Sequence, residues 1–311
     1  MKKPPLKIKE VTLPPSTKIA PIGDVHGMFE SLHMLIEKLR FQNKNLTYIF
    51  LGDVIDGGYR SKDVLEFIIH IFETTPNKHK ILQGNHERRL INAYRGIDED
   101  KLTQEWFAEK GAGYTTLISY GWRIDRNKTD LKTLLSTITA EEIRGLLHTY
   151  IPEKHIKFLE QHCLEALCIN QQFFFLHGSL NPYKYIKEHT ITETFTAETR
   201  ALFLKHRGTQ FTLQGETLKK DMPITQESTP VTVFHGHSQR RFCEEGSMKT
   251  HRVLHDAEGN PIRINLDDGA SLGFGTGYLT AAVFDVDDIA LDDIDFKSVL
   301  VHEHSARPLK I

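Results

Sequence analysis

Lys18-Ile-Ala-Pro-Ile-Gly-Asp-Val-His-Gly27 reads as a short apolar strand running into a turn with glycine at each end and an aspartate and a histidine between. The same arrangement recurs twice in the first third of the chain. Thr47–Leu51 leads into Gly52-Asp-Val-Ile-Asp-Gly-Gly58, and Lys80–Leu82 leads into Gly84-Asn-His-Glu87. Between these strands, Phe29, Leu32, Ile36 and Leu39, then Leu65, Ile68, Ile69 and Phe72, recur at the spacing of one helix face. A further helix is expected from about Glu87. The pattern is β-α-β-α-β, the mark of strands joined by helical crossovers. It puts the polar residues at the carboxyl edge of a sheet, where α/β architectures collect ligands, and the glycines let the backbone turn and approach a ligand closely.

Beyond Asp98 the sequence turns helical as far as Gln161, with Pro152 expected as the first helical residue of the segment holding His155, Phe158 and Leu159. Strands return at Gln171–Leu176, Val231–Phe234, Ile262–Leu266, Tyr278–Phe284 and Ser298–His302. The expectation is an α/β, β-rich core carrying an inserted helical subdomain. The six aspartates of Asp285–Asp295 lack the alternating ligands and glycine of a calcium loop and read as a solvated turn.

Two later turns, His177-Gly178 and His235-Gly-His237, also follow strands. Five strand-ending loops therefore direct Asp24, His26, Asp53, Asn85, His177 and His237 toward one edge. Oxygen and imidazole donors without thiolate suit manganese, iron or zinc better than a structural zinc cage. Six donors exceed the need of one tetrahedral ion and match two ions about 3.5–4 Å apart, bridged by one carboxylate and open to water and phosphate oxygens. His33, His70, His148, His155 and His162 lie within helical patterns and read as structural; His235 is left undecided.

Composition narrows the rest. The chain has 311 residues, 39% of them hydrophobic, with 39 basic against 41 acidic side chains. That balance gives no whole-protein field to recruit nucleic acid or an acidic membrane surface. The apolar runs are too short to span a bilayer, and the basic N-terminus has no apolar stretch behind it. Cys163, Cys168 and Cys243 form no C-x-x-C pair, so reduced thiols in the cytoplasm are expected, with secretion by a leaderless route left open.

The three strand-ending motifs resemble the signatures GDxHG, GDxxDRG and GNHE of the phosphoprotein-phosphatase (PPP) branch of calcineurin-like metallophosphoesterases, and the later HG and GH turns resemble its closing motifs. The likeness runs from about Ile19 to Phe284. It is strongest with bacterial and phage-type serine/threonine phosphatases, which share Glu105-Trp106 followed by Gly111-Ala-Gly-Tyr-Thr-Thr-Leu-Ile-Ser-Tyr-Gly121, then Ile151–Leu159, and Ile264-Asn-Leu-Asp-Asp-Gly-Ala270 followed by Tyr278-Leu-Thr-Ala281. The resemblance implies one domain over 1–311, a central β-sandwich flanked by helices, and a helical cap over 98–165. It makes Asp24 and His26 ligands of a first ion, Asp53 the bridge, and Asn85, His177 and His237 ligands of a second. It implies a protein phosphatase for phosphoserine and phosphothreonine, with phosphotyrosine a further candidate, working by attack of a metal-bridging hydroxide. His86 is then placed to protonate the leaving oxygen, with Asp56 orienting its imidazole.

One departure bears on substrate binding. Gly57 stands where the GDxxDRG motif has the phosphate-binding arginine. Arg60 in the same loop, Arg88 beside GNHE and Arg200 are the candidate replacements. Asp268 replaces the threonine of the DTG turn. The alternative activity is hydrolysis of dinucleoside polyphosphates such as diadenosine tetraphosphate, and a third reading is a binding module with weak catalysis.

Overall fold

The computed structural model describes residues 8–108, 111–125, 129–178, 232–237, 252–255, 261–288 and 290–304. Arg200 and Cys243 lie outside the described residues. In chain order, β1 (Ile8–Val11) and β2 (Lys18–Ile22) precede α1 (Phe29–Gln42), followed by β3 (Thr47–Phe50), α2 (Ser61–Thr74), β4 (Lys80–Leu82) and α3 (Asn85–Arg95). Five helices come next: α4 (Asp100–Phe107), α5 (Gly113–Ser119), α6 (Leu131–Thr137), α7 (Ala140–Tyr150) and α8 (Glu153–His162). The remaining strands are β5 (Cys163–Leu164), β6 (Ala166–Ile169), β7 (Phe173–Leu176), β8 (Thr232–His235), β9 (Arg252–His255), β10 (Pro261–Asn265), β11 (Tyr278–Asp285) and β12 (Asp295–Leu300).

Among the described residues the strands make two six-stranded sheets, ordered β12-β11-β2-β3-β4-β5 and β1-β6-β7-β8-β10-β9. Side-chain alternation explains why they pack face to face. On β3, Tyr48 and Phe50 face the helical layer, while Ile49, with Leu51 just past the strand, faces the second sheet. On β11, Leu279 and Ala281 take the first side and Ala282 and Phe284 the second. Phe173, Phe175 and Phe234 answer from the second sheet, and Phe234 stacks on Phe284 with centroids 4.9 Å apart and planes 7° apart. The α/β sandwich flanked by helices is thus the observed architecture.

Several boundaries differ from the sequence reading. Helix α3 begins at Asn85 rather than Glu87, because Glu87 reaches back to the Gly84 N–H and closes the first turn around Asn85 and His86. Pro152 is the N-cap of α8, not its first residue. The last strand is Asp295–Leu300, paired with β11 from Tyr278↔Leu300 to Val283↔Asp295. Strands β1, β5, β6 and β9 were not anticipated. In the acidic run, the Asp288 carboxylate accepts from the N–H groups of Asp292 and Asp293 at 3.1 and 3.0 Å, so that segment closes on itself. No helix among the described residues is long and apolar enough to cross a membrane.

Candidate metal centre

Strands β2, β3 and β4 run parallel, as do β7 and β8, so the loops at their carboxyl ends meet. The loops are stitched together by backbone hydrogen bonds: Val25 and His26 N–H to Asp53 O at 3.1 and 2.8 Å, and Gly236 N–H to His177 O at 2.9 Å. Crowding forces unusual backbone. His26, Asp53, Asp56 and His237 all have φ between 48° and 66°, a left-handed conformation that costs a non-glycine residue about 1–3 kcal/mol and clusters at functional sites. A Cβ on Gly236 would sit 1.9 Å from Asp24 Oδ1, and one on Gly84 would sit 2.0 Å from Asp53 Oδ1. Both positions require glycine because a carboxylate occupies the space.

Asp53 lies at the middle. Its Oδ2 is 3.8 Å from His26 Nε2, 3.9 Å from His86 Nε2 and 3.2 Å from His177 Nε2. Asp24 Oδ2 is 3.9 Å from His26 Nε2, and Asp24 also accepts the His237 N–H at 3.0 Å. Asn85 Oδ1 is 3.2 Å from His177 Nε2, and the His177 and His237 rings meet edge to face at 5.1 Å. His26, Asp53 and His86 bring three possible donor atoms within 4.8 Å of one another, as do Asp53, His177 and His237. The structure thus brings together all six residues expected as donors, and adds His86 to them.

The electrostatics suit cations. Burial works against ionisation of Asp53, yet His177, His86 and His26 hold its carboxyl well below the usual range. Burial would lower His177, but Asp53 and Asp24 carry it up to about 10. Asp24 is pushed well above the usual carboxylate range by burial and by Asp267. Burial also lifts Asp267 to about 6 and Glu87 to about 7, with Asp53 adding to both. Four buried carboxyl groups crowd one another here, and buried charges of one sign need counter-charge at the same place. The oxygen and imidazole donors fit divalent cations on both sides of Asp53.

Two residues of this site went unrecognised in the sequence. Glu87, fully buried, accepts from the N–H groups of Asp53, Val54 and Gly84 at 2.8–2.9 Å and so fastens the Asp53 loop to the start of α3. A glutamate three residues into a helix reads as a capping group, so the capping part of this role was available in advance. Asp267, in the turn after β10, is also buried beside the cluster; Asn265 fixes its N–H and its Oδ1 accepts from Gly269. Asp268, at the threonine position, accepts from Thr280 Oγ1 at 2.6 Å.

Asp56 and His86 adjoin the donors. Asp56 is fully buried, and its Oδ2 lies 2.8 Å from His86 Nδ1, which leaves Nε2 facing Asp53. His235, at the end of β8, donates from Nδ1 to Gly236 O, and burial pushes it down to about 4, so it is a neutral imidazole. His33, His148, His155 and His162 pack against aromatic rings.

Arg60 and Arg88 are engaged by other groups. Arg60 pairs with Glu30 and Asp63 and lies over the Phe29 ring, 4.5 Å from its centroid. Arg88 contacts Gln83 Oε1 at 3.3 Å and Glu165 at 3.6 Å. Arg60, one candidate replacement for the arginine missing at Gly57, is thus engaged by carboxylates and a ring on α1 and α2. Arg60→Ala should leave kcat/KM on phosphopeptides within about twofold, as for a surface change, and lower the melting temperature slightly. A tenfold rise in KM in steady-state assays would return Arg60 to the phosphate. Gly57→Arg is no clean restoration either, since Gly57 has φ +90°, where a side chain is strained.

The α/β sandwich, the left-handed loops and the buried carboxylate–imidazole cluster together describe a site fitted to divalent cations. The model of the calcineurin-like phosphoesterase family matches residues 17–252, and the chain belongs to that family. The resemblance to the phosphoprotein-phosphatase branch is borne out as well. The Drosophila melanogaster serine/threonine-protein phosphatase 6 catalytic subunit is 31% identical over 129 residues, covering 42% of this chain and 39% of that protein. The chain thus matches about two fifths of that relative's length. Among solved structures, a candidate diadenosine tetraphosphatase superposes with a TM-score of 0.49 at 19% identity, covering 94% of this chain and 98% of its own. A protein serine/threonine phosphatase from Saccharomyces cerevisiae gives 0.47 at 14% identity, covering 98% and 88%.

Proposed function

We propose that the protein is a metal-dependent phosphomonoesterase acting on phosphoserine and phosphothreonine in proteins, with phosphotyrosine a further candidate. The observation that carries this is one carboxylate, Asp53, lying among three imidazoles, one of which is held by a second carboxylate, Asp56. Asp24, His26 and Asp53 would hold one divalent cation, and Asp53, Asn85, His177 and His237 another, with manganese first and iron or zinc as alternatives. Such a pair, when bound, supplies Lewis-acid charge neutralisation to a phosphoryl group and activates water.

The remaining steps belong to the chain's own side chains. Asp56 accepts from His86 Nδ1 and so turns Nε2 toward the cluster, where it can deliver a proton to the departing oxygen. The first turn of α3 opens on the same place, where the His86 N–H donates to Asp53 Oδ1 at 3.0 Å and so ties the start of the helix to the cluster. A manganese-supplemented assay on phosphoserine, phosphothreonine and phosphotyrosine peptides beside diadenosine tetraphosphate tests the reading. Release of phosphate from phosphoserine and phosphothreonine peptides is expected. Turnover of diadenosine tetraphosphate alone would replace this reading with dinucleoside polyphosphate hydrolysis.

A further inference from the structure

The helical segment after α3 reaches into the acid–base pair. Trp106, on α4 and buried, donates from Nε1 to Asp56 Oδ2 at 2.7 Å, the same oxygen that faces His86. Thr116, on α5 and fully buried, donates its hydroxyl to Asp56 Oδ1, and the Asp56 N–H points back at Thr116 Oγ1 at 3.2 Å. Its neighbour Thr115 accepts from the Gly57 N–H at 3.0 Å. Both carboxylate oxygens and the adjoining backbone are thus fixed from a segment fifty to sixty residues away in sequence.

Local sequence makes this approach possible. A Cβ on Gly111 would sit 2.0 Å from Trp106 O, and one on Gly113 would sit 2.5 Å from the indole ring. Ala112 between them takes φ +57°. The Gly111-Ala-Gly113 turn therefore folds α5 tightly over the indole, bringing Thr115 and Thr116 onto the Asp56–Gly57 turn. That turn holds Asp56 at φ +66°, so outside contacts are needed to keep it in place.

We propose that Trp106 and Thr116 are positioning residues, which fix the Asp56 carboxylate and through it the direction of His86. The helical segment is then a working part of the site and not only a cover beside it. This inference rests on the roles given above to Asp56 and His86. A carboxylate that loses one of its three side-chain donors can rotate, and small misplacements of a proton donor cost more than packing losses do.

The test is a double-mutant cycle. Trp106→Phe and Thr116→Val, each alone and in the His86→Asn background, are assayed as metal-loaded enzymes on phenyl phosphate and p-nitrophenyl phosphate. Each single change should lower kcat on phenyl phosphate about tenfold with little change in KM, and should add almost nothing once His86 is gone. Thr116→Ser should keep most of the activity that Thr116→Val loses, which separates loss of the hydroxyl donor from a packing defect at that position. The ring N–H resonance of His86 in 15N-histidine-labelled protein, identified by its disappearance in His86→Asn, should move in both variants. Equal loss factors in the two backgrounds, or an unmoved resonance, would overturn the proposal. If His86→Asn itself slows both substrates alike, its role as acid fails, while the cycle and the resonance still decide whether Trp106 and Thr116 act through it.

Discussion

Asp53→Asn should remove nearly all activity and disturb metal loading on both sides of the site at once. Asp53 Oδ2 has three imidazole nitrogens within 4 Å, those of His26 and His86 on one side and His177 on the other, so the change reaches both halves of the cluster. The substitution is unusually clean. Asn tolerates the left-handed backbone found at this position, φ +48°, and its oxygen can still accept the His86 N–H that Asp53 Oδ1 accepts at 3.0 Å. What is lost is the charge at the centre. A fall in kcat/KM of roughly 10³-fold or more is expected, on the scale of removing a principal electrostatic element. Asp24→Asn and His237→Asn should each fall less. Elemental analysis should show close to two transition ions per wild-type chain and a clear deficit in Asp53→Asn. Full loading with activity within tenfold of wild type would refute the shared-carboxylate arrangement.

His86→Asn should separate substrates by leaving group. A serine alkoxide departs poorly without a proton, whereas nitrophenolate needs none, and general-acid help is typically worth about 10²–10⁴-fold. The loss should therefore approach that range on phosphoserine peptides and be far smaller on p-nitrophenyl phosphate. Asp56→Asn should show the same discrimination, weaker in size. Its amide would turn an N–H toward at least one of the donors that now point at the carboxylate. Because His86 also lies 3.9 Å from Asp53, metal content must be measured alongside. Equal losses on the two substrates with metal depleted would make His86 a support of the cluster and not an acid.

How much of this was readable from the chain follows from distance along it. The three strand–turn motifs were legible because each keeps its strand, glycine and polar residues within ten positions, and parallel strands bring such turns to one edge. The six donors and the His86–Asp56 pairing came from that logic and from the family resemblance. Contacts across long separations were not legible. Trp106 and Thr116 touch Asp56 from fifty and sixty residues away. Strand β1 forms only by pairing Ile8 with Ala166, so its four residues carry no pattern of their own. The partners of Arg60 were hidden for the same reason: Phe29 and Glu30, which engage it, are near only after α1 and α2 have packed. Asp267 was visible as a residue of the turn after β10, but its burial beside Asp24 and Asp53 depends on the second sheet closing over the first.

The donors are divided between the sheets: Asp24, Asp53 and Asn85 follow strands of one, His177 and His237 follow strands of the other. An ion held by Asp53, Asn85, His177 and His237 would be a clasp between two layers joined largely by apolar packing. Thermodynamic linkage then applies to the sandwich as a whole. A ligand held only by the folded state at a hundred times its dissociation constant adds about 2.7 kcal/mol to the free energy of unfolding. Chelation should accordingly loosen the seam where the layers meet, making metal supply a determinant of how long the folded chain survives as well as of how fast it turns over.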